Sequence, residues 1–187
     1  TTEIYTLSLH DALPISMAPL IAAQNLPVCL MHHLGTPATM QDNPRYDDVV
    51  LDVYDWLAAR IAAAEAAGIP RDRIIVDPGI GFGKTLQHNV SLLRRLALYH
   101  GLGCPVLVGA SRKRFIGTLS GAEPAGERLP GSLAVALHAA GQPTPYDHVR
   151  NIFIFVVNSL ATPPNDWDRH ENPPALFDIL IKATGTP

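Results

Sequence analysis

Residues 74–84 read IIVDPGIGFGK. Ile74, Ile75 and Val76 are too uniformly apolar for a strand with one wet face and suit a parallel sheet covered by helices. Asp77 then places a carboxylate at the strand's end. Gly79, Gly81 and Gly83 follow at alternate positions, where glycine backbone lets a flat ligand approach closely; a plain structural glycine-rich turn is the other reading of the local pattern. A carboxylate accepts two parallel hydrogen bonds, so Asp77 is suited to grip a planar edge that presents an N–H and an amino group. Phe82 supplies an aromatic wall. Spacing rules out two other uses of such a loop. A phosphate-binding P-loop needs Gly where Pro78 stands, and the dinucleotide fingerprint needs a third Gly where Lys84 stands.

Working outward, residues 27–31 (PVCLM) form a short apolar run, a strand. Beyond a loop with Gly35, Pro37 and Pro44, the apolar residues Val49, Val53, Trp56, Leu57, Ile61 and Ala64 recur at helical spacing. Asp47 and Asp48 suit that helix's amino end, and Gly68 followed by Pro70 stops it. On the other side, Leu92, Leu93 and Leu96 mark a helix, residues 105–108 (PVLV) a strand, and residues 128–140 another helix with Gly141 after it. This alternation predicts right-handed βαβ units and an α/β fold. Three strands and their helices fit half of a (β/α)8 barrel or part of an open doubly wound sheet, and in both the ligand sits at the carboxyl ends of the strands.

That rule selects two further places. Gly109, Ala110, Ser111, Arg112 and Lys113 come directly after a buried strand. A Lys ammonium there can donate to a ring carbonyl or nitrogen, and Arg can pair with an anion, although a solvated charge run is the plainer reading. Met31 ends the first strand as a soft apolar contact for a ring. His32 and His33 are neighbours, point in opposite directions in extended chain, and so do not jointly bind a metal.

The chain has 187 residues, 47% apolar and 17% charged, with a formal net charge of −3. That balance gives no reason to expect nucleic acid or an anionic membrane as a partner. The apolar runs fall short of the roughly 20 residues a membrane span needs, and the start shows no secretory signal. Cys29 and Cys104 sit in or beside apolar runs, as small buried hydrophobes of a reducing compartment do, so a cytoplasmic location is expected. Three segments follow: residues 1–16, without a clear period and similar to translated adapter sequence; residues 17–142, the β/α region; and residues 143–187, rich in Pro, Asn and aromatics, where the rhythm is lost.

The segments VCLMHHLGTPATMQDNPRYDDVV, IIVDPGIGFGKT, PVLVGASRKRFIG and ERLPGSLAVAL, in this order and spacing, resemble dihydropteroate synthase of the folate pathway. The resemblance implies the carboxyl-terminal half of a (β/α)8 barrel, often dimeric, that joins 4-aminobenzoate to a dihydropterin hydroxymethyl diphosphate. It further implies that Asp77 binds the pterin's amide and amino edge. Lys113, as the catalytic residue, donates to the pterin near the aminobenzoate. Met31, Gly81, Phe82 and Gly109 line the pocket, while Ser111 and Arg112 flank the aminobenzoate side. Mg2+ is implied for the full-length family, but its Asn ligand and the mobile loop are not matched before Pro27. The Arg-x-His pair of the last strand is not matched in GQPTPYDHVRNIFIFVVNSL, and neither His148 nor Arg150 is placed in that role. The expected protein is therefore a fragment with a pterin half-site. A corrinoid-methyltransferase type of pterin barrel and a non-catalytic remnant stay open as alternatives.

Overall fold

In the computed structural model, residues 5–8, 17–121, 124–141 and 152–155 are described, all within the unit Thr1–Val156. Among them run five strands, β1 (Tyr5–Ser8), β2 (Val28–Met31), β3 (Ile74–Asp77), β4 (Val106–Gly109) and β5 (Ile152–Phe155). Five α-helices lie between them in sequence: α1 (Met17–Ala23), α2 (Val49–Ala66), α3 (Leu86–Arg94), α4 (Arg114–Leu119) and α5 (Leu129–Ala140). The strands form one sheet in the order β1-β2-β3-β4-β5, with every pair parallel. The expected α/β architecture with a parallel sheet is what the chain adopts.

Side chains alternate across each strand, and the register fixes which ones share a face. Leu30, Val76 and Val106 are paired neighbours across β2, β3 and β4, and all are fully buried. They sit in one core with Val53, Leu57 and Ile61 of α2, Leu92 and Leu93 of α3, and Phe115 and Ile116 of α4. Each such side chain contributes about 2 kcal/mol by leaving water. Met31 and Asp77 are paired neighbours at the carboxyl ends of β2 and β3, the place where the ligand was expected.

The helix ends follow local chemistry. Asp48 caps α2, its side chain accepting from the Val50 and Leu51 amides, which satisfies donors that have no partner in a first helical turn. The chain leaves α2 through Gly68, whose φ of 91° suits glycine. Thr85 and His88 form a reciprocal cap at the start of α3, so the helix begins directly after the glycine loop and holds that loop's end.

Two expectations change. The segments outside the β/α rhythm each supply a strand: Tyr5–Ser8 pairs with β2, and Ile152–Phe155 pairs with β4. Regular strand–helix spacing is one way to mark a parallel strand. A short run of β-branched and aromatic residues such as Ile152-Phe153-Ile154-Phe155 meets the pairing requirement without it. The other residues of those two segments, His148 and Arg150 included, lie outside the described ones. In addition, Arg114, which the sequence places in a charge run with Arg112 and Lys113, opens a helix, Arg114–Leu119, whose apolar members Phe115 and Ile116 are buried.

Candidate active site

Asp77 ends β3 with its side chain buried to 6% exposure. Its Oδ1 accepts the Gly79 amide at 2.7 Å, which folds the chain back directly after the strand. Burial raises the Asp77 pKa to about 6, while the Gly79 amide, Lys113 and Lys84 pull it down. A half-buried methionine, Met31, stands beside it on β2.

The three loop glycines do different work. At Gly79, with φ of 68°, a β-carbon would collide with the His32 carbonyl. At Gly83, with φ of 63°, it would lie 2.7 Å from the Leu34 Cβ and carbonyl oxygen. Both are glycine because the loop after β2 packs directly against this one, not to leave room for a ligand. Gly81, with φ of 84°, faces the Lys113 side chain, whose Cδ would be 3.1 Å from an added β-carbon. Its amide donates to Asn89 Oδ1 at 2.7 Å and its carbonyl accepts from Gln41 Nε2 at 2.7 Å. The loop is therefore held from both sides before any ligand arrives.

Lys113 reaches over this loop and places Nζ 3.8 Å from the centroid of the Phe82 ring, a cation–π contact. Burial lowers its pKa, and Asp77 raises it. Beside it a cleft opens between Gln41 and Gly81 on one side and Arg114, Phe115 and Thr118 on the other. The site thus joins an anion, a cation and an aromatic face at the carboxyl ends of β3 and β4. Gly109 is the last residue of β4, and Ser111 and Arg112 form the turn that leads to Lys113.

That turn is held by residues the sequence reading passed over. Arg112 has a φ of 55°, a left-handed conformation that costs a non-glycine residue about 1 kcal/mol. Its amide donates to Ser132 Oγ at 2.8 Å, its carbonyl accepts from Arg128 Nη1 at 3.2 Å, and its Nε donates to the Ala125 carbonyl at 2.9 Å. Ser132 is fully buried on α5 and donates in turn to the Arg128 carbonyl at 2.8 Å. Ser132→Ala leaves the Arg112 amide without that acceptor. We expect a loss of about 1–3 kcal/mol in urea denaturation, and a midpoint equal to wild type would contradict it.

His32 is buried, and burial followed by Lys84 lowers its pKa to about 3, so the ring is neutral near pH 7. It contacts Lys84 and packs edge-on against Trp56, whereas His33 lies 3.1 Å from the Gly35 carbonyl through Nδ1. The two rings engage different partners. Among the described residues no group of three or more His, Cys, Asp or Glu could hold a metal ion. The charged neighbours of Asp77 are two lysines, whose ammonium groups oppose a divalent cation. These residues do not fit a magnesium ion. Cys29 and Cys104 are buried free thiols, and no helix among the described residues is long and apolar enough to cross a membrane.

Comparison with known proteins gives this geometry its relatives. The dihydropteroate synthase of Escherichia coli (strain K12) is 53% identical over 121 residues, which are 65% of this chain and 43% of that protein. A dihydropteroate synthase structure from Thermus thermophilus in complex with 4-aminobenzoate matches with a TM-score of 0.64 and 44% identity over 74% of this chain and 54% of that one. The Xanthomonas albilineans enzyme in complex with 7,8-dihydropteroate matches with a TM-score of 0.70 and 36% identity over 98% of this chain and 60% of that one. The chain therefore spans about half the length of these relatives. The sequence profile of the family described as pterin binding enzyme matches residues 9–149. With that match covering the glycine loop, the turn before Lys113 and the helices that hold them, the chain belongs to the pterin binding enzyme family.

Proposed function

We propose that this chain is the pterin- and aminobenzoate-recognition part of a dihydropteroate synthase, the carboxyl-terminal half of its (β/α)8 barrel. The observation that carries the reading is the buried Asp77 carboxylate at a strand end, with Lys113 lying across Phe82 beside it. In this reading Asp77 accepts two hydrogen bonds from the pterin's amide N–H and 2-amino group. Met31, Gly81, Phe82 and Gly109 line the ring's pocket, and Lys113 donates to the ring. Ser111 and Arg112 flank the 4-aminobenzoate, next to the cleft beside Lys113.

The reaction of the whole enzyme is a substitution at carbon. The amine nitrogen of 4-aminobenzoate forms a bond to the methylene on the pterin, the bond from that carbon to the diphosphate oxygen breaks, and the electron pair leaves with the diphosphate. The nitrogen then sheds a proton. Orientation of the two rings is this chain's share of the task, and holding reactants in a reactive geometry supplies several kcal/mol of a barrier. The magnesium expected for the full-length enzyme belongs to the diphosphate side and has no fit in the residues described here.

Two supporting features concern setting. The buried free thiols of Cys29 and Cys104 agree with a reducing, cytoplasmic compartment. Exposed Leu133 and Leu137 on one face of α5 offer a surface for pairing two copies.

Isothermal titration of the purified chain with 6-hydroxymethylpterin tests the reading. Saturable binding that is strengthened when 4-aminobenzoate is present is expected. A chain that is folded by circular dichroism yet takes up no pterin would rule the proposal out.

A further inference from the structure

Lys84 closes the glycine motif, and a lysine in such a place is ordinarily solvated. Here it is buried to 4% exposure. Its Nζ lies 2.9 Å from His32 Nδ1 and donates to the Phe82 carbonyl at 3.0 Å. The same Nζ lies 3.4 Å from where a β-carbon on Gly79 would be, against the turn that Asp77 Oδ1 organises. An ammonium group can only donate, so the neutral His32 ring takes the tautomer whose Nδ1 accepts. One ammonium group therefore spans the loop after β2, the loop after β3 and the side of the Asp77 turn.

We propose that Lys84 is a positioning residue for Asp77: its buried ammonium ties the two strand-end loops together and is the internal counter-charge that keeps the Asp77 carboxylate in its hydrogen-bond-accepting form. Lys113 also acts on Asp77 but is only half-buried and lies over Phe82, where the bound ring is placed. Lys84 sits behind the loop and keeps its place whatever Lys113 does.

The charged and titratable groups around Lys84 come from every element packed on it. They are the charged Asp77 on β3 and Lys113 after β4, together with the titratable rings of His32 after β2, His33 next to it, and His88 on α3. Burial lowers the Lys84 pKa to about 7, with Asp77 opposing the fall and Lys113 adding to it. Asp77 ionises at about 6, so both groups carry charge between these values. Removing Lys84 takes away one of the two cations that offset the cost of burying the carboxylate.

The use for pterin rests on the function proposed above, so the main test needs no ligand. In the ligand-free full chain, the Asp77 carboxyl carbon is titrated by NMR in wild type and in Lys84→Met. The midpoint is expected to rise by about half a unit or more in the variant. Should Lys84→Met not fold, the reciprocal measurement serves: the Lys84 midpoint in Asp77→Asn is expected to fall by a similar amount, since coupling between two sites is mutual. An unmoved midpoint in either experiment overturns the proposal. A third arm follows 6-hydroxymethylpterin affinity. The variant is expected to bind about twofold or more weakly near pH 6, with the gap narrowing towards about pH 7.5 as Asp77 ionises regardless. An affinity loss equal at both pH values would mean a packing role only and would also overturn it. If wild type takes up no pterin while the Asp77 midpoint moves, the pterin reading fails and the hold of Lys84 on Asp77 stands.

Discussion

Asp77→Asn is expected to bind 6-hydroxymethylpterin about 100-fold more weakly than wild type while unfolding at a higher urea concentration. The binding loss follows from the donor and acceptor inventory. Aspartate offers two acceptor oxygens to the pterin's pair of donors, whereas the asparagine amide turns one of them into a donor facing a donor. Losing one charge-assisted bond and misaligning the other costs about 3 kcal/mol, which sets the 100-fold figure. The stability gain has the opposite sign because the carboxylate is buried to 6% exposure and its pKa is raised to about 6 from the usual 3.8.

The pH course of that gain is fixed by linkage. Unfolded Asp77 ionises near its ordinary value and folded Asp77 near 6, so the carboxyl disfavours folding progressively as pH rises between these limits. Below this window the carboxyl is protonated in both states and the two proteins have equal stability on this account. Above it, Asp77→Asn is more stable by on the order of 3 kcal/mol. Urea denaturation at both ends of the window, with titration calorimetry, reads both effects. Equal affinity for pterin, or a less stable variant at neutral pH, would defeat the prediction. A residue whose replacement helps the fold and harms binding is one kept for its chemistry.

The largest stability effect is expected at Gly79. Gly79→Ala places a β-carbon into the His32 carbonyl and forces alanine to a φ of 68°. Neither problem has an easy escape. The His32 amide donates to the Asp77 carbonyl at 2.9 Å, so the offending backbone is pinned in the sheet. A loss of more than about 4 kcal/mol is expected, a large part of the stability of an ordinary domain. Gly81→Ala is the natural control, because its new β-carbon meets the flexible stem of Lys113 and only the positive φ remains costly. Thermal melts followed by circular dichroism separate the two. A melting temperature for Gly79→Ala close to wild type would show that the two loops can part.

How much of this was readable before the structure depends on the kind of signal. Asp77, Phe82 and Lys113 could be singled out because ligands sit at strand ends in a parallel sheet, and all three lie at or just beyond the ends of β3 and β4. Strand β3 and helix α2 were legible because their periods are strong, and Asp48 was read near its true place as the cap. The purpose of Gly79 and Gly83 was not. A glycine needed for a ligand and a glycine needed for a neighbouring loop look alike until the His32 and Leu34 backbones are in view. Lys84 was read only as the residue that spoils a dinucleotide fingerprint, since no pattern in one sequence marks a lysine as buried. Ser132 gave no signal either: its partner, the Arg112 amide, is 20 residues away and backbone amides have no sequence signature. The edge strands β1 and β5 went unread because short runs of four residues carry little periodicity.

The sheet order bears on how this protein is made. Each strand lies beside the one before it in the chain, from β1 through β5, with no strand inserted between earlier neighbours. Every pairing is therefore available as soon as the later strand leaves the ribosome, and none waits for a segment still to be translated. A nascent chain can lay down the sheet one βα unit at a time, with each new helix covering the strand that preceded it. The Asp77 turn is complete once α3 emerges, but Lys113 and the Ser132 latch arrive some tens of residues later. The pocket is thus finished after the strands that carry it, β2 to β4, have paired, by helices that fold onto them.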